Sequence, residues 1–194
     1  MRTQPKPPIK EAKPDNERDY LTPDEMGRLL DGAKKSGRYP HRDYTLLLLM
    51  YRHGLRVGEA VNLQWKRDVN FTTKHLYVRR LKKGAPSNQP LYGDEIRALR
   101  QLLREYPDSP WLFISERKAP LTTRTVRDIV NRAAGEAGLG YSVHPHMIRH
   151  STGFYLAAKG FDTRKIQDYL GHQQIQNTVR YTRLAPGQFE GMWD

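Results

Sequence analysis

His146 and Arg149 stand three residues apart in a stretch, about Pro145 to Lys159, whose pattern predicts a helix. Residues at that spacing share one helix face and can converge on one ligand. Arg56 lies near the start of a shorter helical run, Leu55-Arg56-Val57-Gly58-Glu59-Ala60-Val61-Asn62-Leu63, where its charge adds to the unpaired backbone donors and suits an anion. His172 follows Gly171 at a helix end, and Tyr181 comes nine residues later in Asn177-Thr178-Val179-Arg180-Tyr181-Thr182. Guanidinium forks, imidazoles and a hydroxyl are together the groups that phosphoryl transfer needs: the forks neutralise non-bridging oxygens, the imidazoles move protons and the hydroxyl attacks. Singly, each has a plainer reading. A histidine on a polar helix face is ordinarily solvated, and one tyrosine among 11 ordinarily packs a core. His150, adjacent to Arg149, is expected to point elsewhere. A second chemistry, metal-assisted phosphodiester hydrolysis by His144, His146 and His150, lacks a matching carboxylate cluster, and Pro145 constrains the geometry of its first two histidines.

Composition narrows the partner without naming the reaction. Lys and Arg number 33 against 21 Asp and Glu, a formal charge of +12, and such an excess favours a polyanion because phosphates and their released counterions reward basic surfaces. Nucleic-acid, ribosomal and membrane-surface proteins share that property. Between Lys74 and Arg104 eight basic residues face two acids, a concentration that suits tracking of a nucleic-acid backbone. The absence of cysteine excludes disulfides, cysteine nucleophiles and thiolate metal sites and fits a reducing interior. The longest apolar run, Leu46 to Tyr51, is far short of the roughly 20 residues that span a bilayer, and the N-terminus lacks a signal-peptide core. These features lead us to expect a soluble, cytoplasmic protein without membrane contact.

The elements that must position these groups are legible as alternations of pattern. Residues 1–20, with Pro5, Pro7, Pro8 and Pro14 among mixed charges, carry too little apolar surface to offset ordering and are expected to form a flexible tail. Thr22-Pro23-Asp24-Glu25 then spells an N-cap, a first-turn proline and a capping box, opening a helix to about Lys35. Tyr44 to His53, apolar nearly all round, reads as a core helix that ends at Gly54. Leu76-Tyr77-Val78 and Gln89-Pro90-Leu91 flank Lys82-Lys83-Gly84-Ala85-Pro86-Ser87-Asn88 as a hairpin with a basic tip. Further helices are expected at Asp94–Tyr106, Arg124–Ala137, Asp162–Leu170 and Thr178–Thr182, with a strand at Trp111-Leu112-Phe113-Ile114. The whole predicts one mainly helical α+β domain over residues 21–183 with a small antiparallel sheet, followed by a tail, 184–194.

Arg56 in Gly54-Leu55-Arg56-Val57-Gly58-Glu59, a hairpin lysine, His146-Met147-Ile148-Arg149-His150, Leu170-Gly171-His172 and then Tyr181 together resemble the tyrosine recombinase (integrase) family. The match keeps that family's order of Arg, Lys, His, Arg, His and Tyr and extends from about residue 20 to residue 183. The Arg79-Arg80-Leu81-Lys82-Lys83-Gly84 hairpin, His144-Pro145-His146 and the terminal Gly191-Met192-Trp193-Asp194 resemble in particular the short recombinases that invert fimbrial switches.

The resemblance implies a site-specific DNA recombinase that cleaves and rejoins strands through a covalent 3′-phosphotyrosine, with no metal and no cofactor. It implies Tyr181 as nucleophile, Arg56 and Arg149 on the non-bridging oxygens, with their charge favouring the tyrosinate, and His146 as the base for Tyr181. His172 would donate to the phosphate, and Lys83 would protonate the leaving 5′-oxygen, Lys82 being the other register. Glu59 would brace the arginines and His150 would stand behind the reacting groups. Arg79, Arg80, Lys82, Thr123 and Arg124 are candidate DNA contacts, with the helix opening at Thr123-Arg124 entering a groove. The implied partner is double-stranded DNA with inverted-repeat recombination sites, bound by a monomer or weak dimer that becomes a tetramer on paired sites in the nucleoid of a bacterium, possible accessory DNA-bending proteins included. Phe189, Met192 and Trp193 would dock on a neighbouring protomer or on their own domain. Residues 1–20 are too few for the family's N-terminal clamp, so the chain reads as a naturally minimal recombinase, favoured by Met1, or as a fragment. A DNA-binding regulator without catalysis is the remaining alternative.

Overall fold

The computed structural model describes residues 18–81 and 84–183. Helix α1 (Pro23–Lys35) opens on the expected capping box: the Thr22 hydroxyl accepts from the Glu25 N–H at 3.3 Å, and the Glu25 carboxylate accepts from the Thr22 N–H at 2.8 Å. α2 (Pro40–Arg52) starts four residues before the expected Tyr44, since Pro40 fixes the first-turn φ. It is buried on nearly every side, with Leu46, Leu47, Leu48, Leu49 and Met50 at most 2% exposed, and each such side chain contributes about 1.5–3 kcal/mol when removed from water. α2 is therefore the axis on which α1, α5 and α7 pack.

After α2 come the short helices α3 (Val57–Val61) and α4 (Trp65–Asp68) and a three-stranded antiparallel sheet of β1 (Val69–Asn70), β2 (His75–Val78) and β3 (Ser87–Pro90), in that order across the sheet. β2 pairs β3 with Leu76 opposite Gln89 and Val78 opposite Ser87. The alternation of β2 continues past its end, so that Leu76, Val78 and Arg80 are buried while Tyr77 and Arg79 face out. α5 (Gly93–Glu105) and α6 (Thr123–Glu136) complete the larger core, α6 lying along α1. The strand expected at Trp111–Ile114 does not form. Leu112 and Phe113 are fully buried, but their backbones bond to different partners, Leu112 N–H to Leu63 and the Phe113 carbonyl to Leu121, so only isolated bridges result.

The chain closes with α7 (Pro145–Ala158), α8 (Thr163–Leu170) and α9 (Gln176–Arg183). These three enclose a second, smaller apolar cluster of Phe154, Ala157, Ile166, Leu170 and Tyr181. Residues 18–20, expected to lie in the tail, make contacts with the domain: Tyr20 stacks on Phe154 with ring centroids 3.9 Å apart, and Arg18 pairs with Glu25 at 3.1 Å. The Phe154 ring and the ion pairs of Arg18 with Glu25 and of Asp19 with Arg180 hold residues 18–20 against the domain. Phe189, Met192 and Trp193 lie outside the described residues.

Candidate active site

Two helix C-termini meet at the centre of the site. α2 ends at His53-Gly54 and α8 at Tyr169-Leu170-Gly171, and their last carbonyls, which have no partner within the helix, concentrate negative potential there. Two guanidinium groups fill the place. Arg149 on α7 donates Nη2–H to the Leu170 carbonyl at 2.7 Å and Nη1–H to the Gly54 carbonyl. Arg80, beyond the end of β2, donates to the carbonyls of His53 at 3.0 Å, Gly54 at 3.2 Å and Tyr169. Its side chain threads between Gly84 and Gly171, and a Cβ on either glycine would lie within 2.7 Å of it. Gly171 also takes φ +66° to end α8, so both steric demands fall on one residue.

Glu59 supplies the balancing charge from α3. Its carboxylate accepts from Arg56 Nη1 at 2.7 Å, from Arg80 Nη1 at 2.9 Å and from the Arg56 backbone N–H at 2.9 Å, and lies 3.9 Å from Arg149. Burial works to raise the Glu59 carboxyl, but Arg80 and the Arg56 hydrogen bonds outweigh it, and the group lies below its usual range. Burial and the neighbouring Arg80 and Arg56 push the Arg149 guanidinium down to about 9, still charged at neutral pH. Of the three arginines only Arg56 opens to solvent, at 26% side-chain exposure against 0% for Arg80 and 2% for Arg149.

Tyr181 lies beside this cluster, 1% exposed. Its ring meets Phe154 edge-on at 5.1 Å and lies near-parallel to His172 at 6.2 Å. Gly153 makes room for it, since a Cβ there would come within 2.5 Å of the ring. The phenol oxygen is 2.8 Å from His150 Nδ1. Burial raises the phenol above its ordinary value despite the opposing pull of Arg149 and Arg180. The arginines do pull toward the tyrosinate, as expected, but in the free protein desolvation prevails over them. His172 Nδ1 is 2.8 Å from the Thr178 hydroxyl, and burial followed by Arg149 and Arg56 pushes its imidazole down to about 3, so it is neutral.

Arg56, Glu59, Arg80, His146, Arg149, His150, His172 and Tyr181 thus surround one locality, but His150 and Arg80 differ from expectation. His150 does not point elsewhere; it holds the Tyr181 hydroxyl, because residue 150 stands one helical turn from 146 and the two rings are 4.5 Å apart. Arg80 is not placed to meet DNA; it is the buried partner of Glu59. Its phase with Leu76 and Val78 is the sequence signal for that inward position. His146 is exposed and lines a cleft of about 300 Å³ with Arg56, Val57, Thr123, Arg127 and His144. Thr123 and Arg124 are exposed in the first turn of α6, and Arg79 is exposed after β2. Lys82 and Lys83 lie outside the described residues; Gly84, next in the chain, lies against Gly171. Among the described residues no group of three or more histidines and carboxylates is arranged as metal ligands, so His144, His146 and His150 do not form the set a phosphodiesterase reading requires. None of the described helices is long and apolar enough to cross a membrane.

The small helical domain gathers buried arginines, a bracing carboxylate and a histidine-bonded tyrosine in one place. Residues 19–188 match the phage integrase family, and the chain belongs to it. It is 43% identical over 188 residues to the type 1 fimbriae regulatory protein FimB of Escherichia coli strain K12, a match covering 94% of this chain and 93% of FimB. It is 35% identical over 169 residues to the tyrosine recombinase XerA of Pyrococcus furiosus, covering 85% of this chain and 57% of XerA. The crystal structure of XerA recombinase superposes with a TM-score of 0.77 at 28% identity, over 96% of this chain and 65% of that one. The chain is a site-specific DNA recombinase of the tyrosine type.

Proposed function

We propose that Tyr181 is the nucleophile of this recombinase and that the enzyme inverts a DNA segment lying between inverted-repeat sites. The observation that carries the first part is the Tyr181 hydroxyl, buried beside Arg149 and 2.8 Å from a neutral imidazole nitrogen of His150. Arg56, the accessible arginine, and Arg149, braced behind it, would draw in a DNA phosphate and neutralise its non-bridging oxygens through planar, permanently charged forks. The Tyr181 oxygen then forms a bond to phosphorus as the bond to the 5′-oxygen breaks in line, giving a 3′-phosphotyrosine. The phenol proton passes to an α7 histidine, His172 donates to the phosphate, and Lys83 on the hairpin protonates the departing 5′-oxygen. Attack by a partner strand's 5′-hydroxyl reverses the sequence, so the bond energy is conserved and side chains alone supply the chemistry.

Inversion is supported by the likeness to a fimbriae regulatory protein over nearly the full length of both chains. Two sites, each bound by two copies, would assemble a tetramer, with Arg79, Arg124 and the exposed first turn of α6 as backbone or groove contacts. The test is a nicked duplex carrying the inverted repeats beside the gene, incubated in EDTA. The wild type is expected to form a covalent protein–DNA adduct and Tyr181→Phe none. Tight binding without cleavage by the wild type would favour a regulator, and metal-dependent cleavage a phosphodiesterase.

A further inference from the structure

The segment leading into α1 is fastened along α7 and α9 at the nucleophile. The Leu21 N–H donates to Ser151 Oγ at 2.8 Å, Tyr20 stacks on Phe154, and Phe154 in turn meets the Tyr181 ring. Asp19, between these anchors and the chain's start, forms an ion pair with Arg180, the residue before Tyr181, and its Oδ2 lies 4.0 Å from His150 Nε2. His150 therefore has one ring nitrogen toward the nucleophile and the other toward a carboxylate.

We propose that His150 is the proton acceptor for Tyr181 and that Asp19 is its positioning residue. This rests on the reading of Tyr181 as nucleophile. A neutral imidazole carries one N–H, and which nitrogen holds it is set by the partner each faces. The Asp19 carboxylate favours the proton on Nε2, which leaves the Nδ1 lone pair to receive the Tyr181 O–H. The groups around His150 keep it neutral: burial, His146, Arg180 and Arg149 push its imidazole down to about 4 against the opposing pull of Asp19. The ring is thus an empty acceptor before the reaction. As the Tyr181 oxygen bonds to phosphorus and the bond from phosphorus to the 5′-oxygen breaks, the phenol proton moves to Nδ1, a hairpin lysine protonates the leaving 5′-oxygen, and the resulting imidazolium is faced by Asp19. When the phosphotyrosine is resolved the proton returns to the phenol, so the step balances without another reactant. His146, the base expected from the motif, faces the Arg56 cleft and is free to serve the phosphate.

Two measurements on the full chain decide the matter. Histidine ¹⁵N NMR of the DNA-free protein reports the tautomer directly: His150 is expected protonated at Nε2 and bare at Nδ1, and Asp19→Asn is expected to shift it toward the Nδ1–H form. In single-turnover adduct formation on the nicked duplex, Asp19→Asn is expected to lose roughly tenfold or more, as removal of an orienting carboxylate does, with Asp19→Glu recovering most of the rate. An Nδ1–H tautomer in the wild type, or an Asp19→Asn variant that cleaves at the wild-type rate, would overturn the proposal. If the wild type forms no Tyr181 adduct, the nucleophile reading fails, and the tautomer still judges the pairing of Asp19 with His150.

Discussion

Glu59 holds together positive charges that would otherwise repel one another in a dry place. Its two oxygens serve Arg56 and Arg80 directly and reach Arg149 at 3.9 Å, and removing one member of a buried ionic group leaves the others uncompensated. Glu59→Gln is expected to cost about 3 kcal/mol of stability, read as a lower urea midpoint at unchanged slope. Arg56→Ala, at a partly exposed position, is expected to cost roughly 1 kcal/mol or less while abolishing cleavage. At this scale the sequence was informative about residue type but not always about direction. Arg56, Arg149, His172 and Tyr181 were legible as an ordered set and they do converge. His150 is the exception: the i, i+3 spacing aligns His146 with Arg149, but the i, i+4 spacing places His150 equally close to His146, and spacing alone does not show that it reaches Tyr181.

The elements explain why the arginines can be buried at all. α2 and α8 point their C-terminal carbonyls at one spot, and this depends on α8 being held in length and direction by its two ends: Asp162 caps its start, accepting from the Lys165 N–H at 2.9 Å, and Gly171 ends it in a left-handed turn. Asp162→Ala is expected to lower stability by about 1 kcal/mol, or roughly 2–4 °C in Tm for a domain of this size, as measured by calorimetry. Helix ends carrying explicit punctuation were readable from sequence: Thr22-Pro23, Gly54, Pro145 and Leu170-Gly171 all mark observed boundaries within a residue or two. Trp111–Ile114 was not, because strand propensity and burial describe side chains, whereas a strand also needs a neighbour in register, which only the tertiary arrangement supplies. Arg80 was readable in principle from the period-two phase of Leu76 and Val78, but a run of basic residues suggests a solvated surface first.

At the scale of the molecule, the smaller apolar cluster of α7, α8 and α9 includes Tyr181, so the proposed nucleophile is also part of the core packing. One consequence is a shared sensitivity to acid. His150 and His172 are pushed down to about 4 and about 3, so between those values and about 6.5 the unfolded chain binds protons that the folded chain does not. Stability is then complete above about pH 6.5 and declines as pH falls, by up to about 2 kcal/mol for each histidine at pH 5. Chemical denaturation from pH 7.5 to 4.5 is expected to show this slope, and His172→Asn to flatten it. Beyond stability, the proposed chemistry turns on one oxygen atom, that of the Tyr181 hydroxyl. The most direct measurement digests the adduct formed on the nicked duplex and locates the attached nucleotide by mass spectrometry. The account predicts a nucleotide 3′-phosphate on the peptide bearing Tyr181 and no adduct from Tyr181→Phe; attachment at any other residue, or an adduct that survives that substitution, would contradict it.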